Sequence, residues 1–342
     1  MVVVLHIGAP KSGTTALQSR LQAHHAVLAD ARVCVPRAPA ADGETTLAFR
    51  AALDLTGVHL GRGPEYAAGW WSRLVDAVAG QSHAVVSHEA FVRADDAAAA
   101  RAVGELGGPA RVRVVYTARD LGRGLTSTWL EGLKHGTTRT YAEHAAAARA
   151  GSLPVMRGLD LPAVVGRWAD HAPVTVVTVP PEGADRSLLW TRFAQACGLD
   201  PALAPGEPAR ENRAVGVAQA QVLRLLHVHL DGRSARGRGL HAVVRDVVAE
   251  RALAGGERVR PAPHDVAWLT ERAAEHTAWL AAPGTRFPVD VVGDPADLRP
   301  AAIDPAGWTD PDEPTPAVLD AAVHALAVLV RELRRARRRA ED

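Results

Sequence analysis

Lysine is almost missing from this chain. Of its 39 lysine and arginine residues only two, Lys11 and Lys134, are lysine. Cysteine is as scarce. Cys34 and Cys197 stand far apart, which excludes a disulfide framework and metal-ligand spacing and suits a reducing, cytoplasmic setting. No stretch reaches the roughly 18 uninterrupted apolar residues of a membrane span. The opening "MVVVLHIG" is too short, and lacks the basic flank, for a signal segment. A net charge of +1 removes any global attraction to polyanions, so neither a nucleic-acid partner nor stable membrane insertion is expected. Anion recognition, if present, is local. The 15 histidines show no metal-binding grouping, and no metal is expected.

What is present suits a large soluble core, with 342 residues, 47% hydrophobic and 23% charged. Short β-branched runs, Val2–Ile7, Ala84–Ser87, Val112–Ala118 and Val174–Val179, alternate with helical patterns after Thr15, over Leu121–Lys134 and over Leu188–Cys197. The runs are continuously apolar, as in strands buried on both faces, so the expected class is α/β, a parallel sheet flanked by helices with a helical C-terminal part. One α/β domain is expected over 1–310, with a helical insertion at about 207–285. A Pro/Asp linker and a basic amphipathic helix follow over 311–342, with Leu319, Val323, Leu326, Val330 and Leu333 at helical spacing.

In such sheets ligands bind beyond the carboxyl ends of the strands. The first run ends in "HIGAPKSGTT", which holds one of the two lysines. A strand, a glycine turn and a helix N-terminus make an anion site, because the first helical N–H groups lack intrahelical partners and the peptide dipoles favour negative charge. Pro10, Lys11, Ser12, Gly13, Thr14 and Thr15 are the candidate phosphate-binding residues, with Lys11 a compact point charge. The order is wrong for a Walker A loop, which places a glycine directly before the lysine. Here Pro10 precedes Lys11.

"PKSGTT" resembles the 5′-phosphosulfate loop of sulfotransferases that use 3′-phosphoadenosine 5′-phosphosulfate (PAPS). "VRVVYTARDLGRGLTSTWLEGLKHG" resembles their second motif, a strand ending in Arg119 with Ser127 eight residues on. The likeness covers about residues 1–200, with "LLWTRFAQACGLDP", and is diffuse beyond, where "VVGDPADLRP" continues it. It implies a P-loop-type sheet, PAPS as co-substrate without a metal, and a 3′-phosphate held by Arg119 and Ser127. The adenine-stacking Trp that follows the loop in many cytosolic members is Ala16 here, so adenine contacts are expected from elsewhere.

Sulfuryl transfer needs an in-line nucleophile, a base and cations at the leaving oxygen. Lys11 fits the last role. "AVVSHEAF" offers Glu89 as base, with His88 second, and the resemblance implies a Glu or His at this place. The same residues also read as a capping pair of Ser87 and Glu89.

Arg123, Ser127, Glu131 and Lys134 form one helical stripe opposite Leu121, Leu125, Trp129 and Leu133, making Lys134 and Glu131 candidate acceptor-binding residues. The Arg/Gly-rich Arg233–Arg238 reads equally as a loop closing on the nucleotide or as a solvated loop. The expected partner is a small-metabolite, sugar or lipid acceptor, with the C-terminal helix a candidate homodimer face. The alternatives are a P-loop kinase or hydrolase that departs from Walker A, and a non-catalytic nucleotide-binding protein of the same fold.

Overall fold

The computed structural model describes residues 1–37, 47–61, 63–206, 215–230 and 243–341. Six strands form one sheet: β1 (Val2–His6), β2 (Val33–Cys34), β3 (His83–Ser87), β4 (Val112–Ala118), β5 (Val174–Thr178) and β6 (Val289–Val292). Their order is β2-β3-β1-β4-β5-β6, and every pairing is parallel. The four β-branched runs of the sequence are the four central strands. The late "FPVDVVGD" supplies β6, and the two-residue β2 at the opposite edge has no counterpart among the expected runs.

The helices among the described residues are α1 (Thr14–Ala23), α2 (His25–Asp30), α3 (Leu47–Thr56), α4 (Trp70–Val78), α5 (Asp96–Glu105), α6 (Leu121–Lys134), α7 (Tyr141–Arg149), α8 (Leu161–Ala169), α9 (Leu188–Cys197), α10 (Val217–His229), α11 (Val266–Ala281) and α12 (Ala317–Glu341). A π-helical stretch, Val243–Ala252, lies between α10 and α11.

Two compact units divide the chain. The first, Met1–Leu121 with Arg157–Arg210 and Thr270–Pro300, holds the whole sheet. On one sheet face Val4, Val85, Val115 and Val177 pack with Leu17 and Leu21 of α1, Leu28 of α2, and Trp190, Phe193 and Cys197 of α9. The alternate positions Leu5, Val114, Tyr116 and Val176 are as deeply buried, so both faces are covered, as an all-parallel sheet requires. β1 lies between β3 and β4, where the chain reverses its direction of travel across the sheet. The carboxyl end of β1 is therefore the place where an open α/β sheet leaves a crevice.

The second unit, Gly122–Met156 with Glu211–Leu269 and Ala301–Asp342, is helical. Here α7 opens with a capping box between Thr140 and Glu143, and the Asp312 carboxylate accepts from the Tyr141 and Ala142 N–H groups at 2.7 and 2.8 Å. Buried Asp265 accepts from Tyr141 and pairs with Arg149. On α12 the first three residues of the apolar stripe face outward. Leu319, Val323 and Leu326 are 71%, 57% and 62% exposed, while the small Ala321 and Ala325 form the buried side.

Candidate functional site

Beyond His6 the pairing with β4 continues for one more step. The Ile7 N–H donates to the Val115 carbonyl at 2.9 Å and the Ala9 N–H to the Thr117 carbonyl at 3.0 Å. The chain then turns tightly into α1. Gly8 has φ 38°, and a Cβ there would stand 2.4 Å from the Thr14 methyl and 3.2 Å from both His6 Nε2 and Thr117 Oγ1. Gly13 has φ 86° and leads α1 with no side chain to cap it. The first turn of the helix is thus left open to an anion.

Lys11 is not a glycine, yet its φ is 63°, in the left-handed region where a side chain is strained. Arg119, one residue past β4, donates from Nη1 to the Lys11 carbonyl oxygen at 2.6 Å and braces that conformation. Strain of this kind persists only where the surroundings over-determine it, and it collects at functional sites.

The hydroxyls of the turn divide by burial. Lys11 and Thr15 are exposed, whereas Ser12 and Thr14 are buried. The Ser12 hydroxyl donates to the Ala9 carbonyl at 2.7 Å and lies 2.5 Å from Thr117 Oγ1. The Thr14 hydroxyl is hydrogen-bonded to Glu89. Both therefore serve the shape of the site. Lys11, Thr15 and the open end of α1 are what the turn presents outward.

Glu89 follows β3. Its carboxylate accepts from Gln18 Nε2 at 2.9 Å and from Thr14, residues one helical turn apart on α1, so the helix clamps it beside the turn. Burial works to raise its pKa, but the pull of His88 once that ring is protonated and the bonds from Gln18, its own backbone and Thr14 outweigh it. The carboxyl sits below its ordinary value, ionised at neutral pH, with a third of its side chain open to solvent.

His88 is less accessible. Its Nδ1 accepts from the Ala90 N–H at 3.0 Å, and Phe49 of α3 lies against its ring at 4.9 Å. Burial lowers its pKa against the opposing pull of Glu89 and keeps it neutral. With Nδ1 occupied, the neutral ring carries its proton on Nε2. The capping pair expected of Ser87 and Glu89 does not form. His88 is the cap, and Ser87 bonds His6 instead.

Sequence reasoning passed over three residues that close this site from below. His6 and Ser87 end their strands and Thr117 is the penultimate residue of the neighbouring β4, all on one face, and the register that aligns them cannot be read from a single run. His6 is fully buried, with Nδ1 2.7 Å from Ser87 Oγ and Nε2 3.2 Å from Thr117 Oγ1. Burial above all pushes its pKa down to about 3, so it is neutral at any working pH. Gln18 was likewise not singled out, although Glu89 depends on it.

The remaining sequence-predicted residues lie on α6 in the second unit. Arg123, Ser127, Glu131 and Lys134 are the partly exposed positions of one helical stripe, opposite buried Leu125, Trp129 and Leu133. Glu131 bonds His135 at 3.2 Å. Arg233–Arg238 lies outside the described residues.

A surface cavity of about 310 Å³ in the second unit is lined by Glu257, Arg258, Arg260, Ile303, Asp304 and Gly307 and holds none of the sequence-predicted site residues. Its walls carry charges of both signs, and Glu257 accepts from the Thr309 hydroxyl at 2.7 Å. Among the described residues no three His, Cys, Asp or Glu side chains are grouped to hold a metal, and no helix is long and apolar enough to cross a membrane. Comparison of the chain with protein-family models, curated proteins and solved structures finds no match in any of the three.

Proposed function

We propose that the chain is a sulfotransferase that moves the sulfuryl group of PAPS to a hydroxyl, or an amine, of a small metabolite, carbohydrate or lipid. The observation that carries this reading is the strained Lys11 in a turn that ends at an uncapped helix, braced by Arg119 on one side with the ionised Glu89 clamped on the other. The fold in this reading is of the P-loop type. The lysine position and the absence of a glycine before it favour phosphosulfate over a nucleoside triphosphate.

In the reaction the acceptor oxygen attacks sulfur in line as the bond from sulfur to the bridging phosphate oxygen breaks, and adenosine 3′,5′-bisphosphate leaves. Glu89 takes the acceptor proton. Lys11 and the N-terminus of α1 meet the charge that grows on the bridging oxygen. Glu89 suits the base role better than His88, whose Nδ1 already accepts a backbone bond and whose other nitrogen carries the proton. Arg119 is assigned to the 3′-phosphate together with Ser127, the latter by its motif alone. Lys134 and Glu131 are assigned to the acceptor.

Calorimetry of the purified protein with adenosine 3′,5′-bisphosphate, ATP and magnesium-ATP tests the reading. The bisphosphate is expected to bind tightest, and tighter ATP binding would point to a kinase or hydrolase instead. Transfer of labelled sulfuryl from PAPS to an acceptor panel then separates an enzyme from a non-catalytic nucleotide binder.

A further inference from the structure

We infer that His6 is a positioning residue for the anion-binding turn, holding Pro10–Thr15 in shape through the Thr117 and Ser12 hydroxyls. The inference rests on the anion-site reading above and adds to it a residue that touches neither nucleotide nor acceptor.

The geometry allows one arrangement of protons. Ser12 gives its hydroxyl hydrogen to the Ala9 carbonyl at 2.7 Å, so toward Thr117, 2.5 Å away, it can only accept. Thr117 therefore donates to Ser12 and must accept from His6 Nε2, at 3.2 Å. His6 then carries its hydrogen on Nε2, which leaves Nδ1 to accept from the Ser87 hydroxyl at 2.7 Å. Each hydroxyl has a single hydrogen, and each is used once.

His6, Ser12 and Thr117 are all fully buried, so their polar atoms depend on one another rather than on bulk solvent. The ring is held from the side by the edge contact of Phe193, at 4.8 Å between centroids. Gly8 leaves the room in which Nε2 and Thr117 Oγ1 meet, since any Cβ there would crowd both. A donor at Nε2 satisfies the acceptor side of the Thr117 hydroxyl while its hydrogen goes to Ser12. An apolar ring of similar size would fill the space and leave that buried oxygen short of a donor, loosening the string.

The test compares wild type with His6→Phe, Thr117→Val and His6→Gln, the last retaining a donor near the Nε2 position. Hydrogen exchange is followed on a peptide spanning residues 8–16, with one spanning β5 as control. His6→Phe and Thr117→Val are expected to speed exchange of the turn about tenfold, leave β5 unchanged, and weaken adenosine 3′,5′-bisphosphate binding about tenfold. His6→Gln is expected to stay within about threefold of wild type in both. Nitrogen-15 spectra of the ligand-free protein should show the Nε2–H tautomer at His6, assigned by its loss in His6→Gln.

An Nδ1–H tautomer, an unchanged turn in both disrupting variants, or equal loss in His6→Phe and His6→Gln would each overturn the inference. If wild type fails to bind the bisphosphate, the sulfotransferase reading falls, and the exchange and tautomer measurements still decide the role of His6.

Discussion

The Arg119 guanidinium donates to the Lys11 carbonyl oxygen at 2.6 Å, so the end of β4 grips the turn by its backbone at the residue with the least favourable conformation. Arg119 has two duties in this arrangement. As a brace it shapes the turn whether or not a ligand is bound. As a cation it is assigned to the 3′-phosphate.

The two duties separate experimentally. In Arg119→Ala the affinity for adenosine 3′,5′-bisphosphate is expected to fall about a hundredfold, reflecting loss of a charged contact and of the brace. Affinity for adenosine 5′-phosphosulfate, which has no 3′-phosphate, is expected to fall about fivefold, from the brace alone. Titration calorimetry with both ligands checks this. An unchanged affinity for the second would confine Arg119 to the phosphate role.

On the proposed reading the strain at Lys11 is tolerated for its charge. Lys11→Gly removes the side chain that dislikes φ 63° and is expected to stabilise the fold by about 0.5–1 kcal/mol while abolishing sulfuryl transfer. Thermal unfolding and turnover measured side by side show whether stability and activity part in this way. Lys11→Arg keeps the charge but spreads it over a plane, and is expected to lower turnover at least tenfold. Full activity of that variant would leave the choice of lysine unexplained.

The carboxylate and the imidazole at the end of β3 are predicted to behave differently. Glu89→Gln is expected to lower turnover by about a hundredfold or more with bisphosphate affinity nearly unchanged, as for loss of a general base. His88→Asn retains an acceptor for the Ala90 N–H and is expected to keep turnover within about fivefold. Steady-state kinetics of the pair decides. The opposite ranking moves the base to His88.

Three buried histidines set the acid limit of the fold. Burial foremost pushes His6 down to about 3 and His144 and His276 to about 4, whereas in the unfolded chain each titrates near 6.5. Below that value the unfolded chain takes up protons that the native chain refuses, so stability falls as pH falls. Each such histidine contributes about 1.4 kcal/mol per pH unit between its unfolded and folded values, about 4 kcal/mol per unit for three. Glu89, held below its ordinary range, adds the same sign at lower pH. Denaturant midpoints measured from pH 7.5 to pH 5 are expected to drop steeply below about pH 6. A flat profile would contradict the burial of these rings.

Much of this was legible in the sequence because a strand buried on both faces is written as an unbroken β-branched run. β1, β3, β4 and β5 were visible for that reason, and Lys11, Glu89 and Arg119 were visible as the polar residues where those runs stop. β2 was not, since two residues at a sheet edge need no run at all. The row of His6, Ser87 and Thr117 was hidden for a different reason. Each looks like an ordinary residue at a strand end, and only the registers of β1 with β3 and of β1 with β4 bring them onto one face. The stripe of Leu319, Val323 and Leu326 on α12 is visible in the sequence, but spacing alone carries no information on which side of a helix packs.

The order of donors beneath the turn has an electrical sense as well. In the proton order inferred above, each bond of the string from Ser87 through His6, Thr117 and Ser12 to Ala9 is donated toward the next member, so the groups polarise one another in one direction. On the proposed reading the string adds an oriented field from neutral groups to the formal charges of Lys11 and Arg119. Because its sources are buried, salt screens that field far less than it screens an exposed arginine.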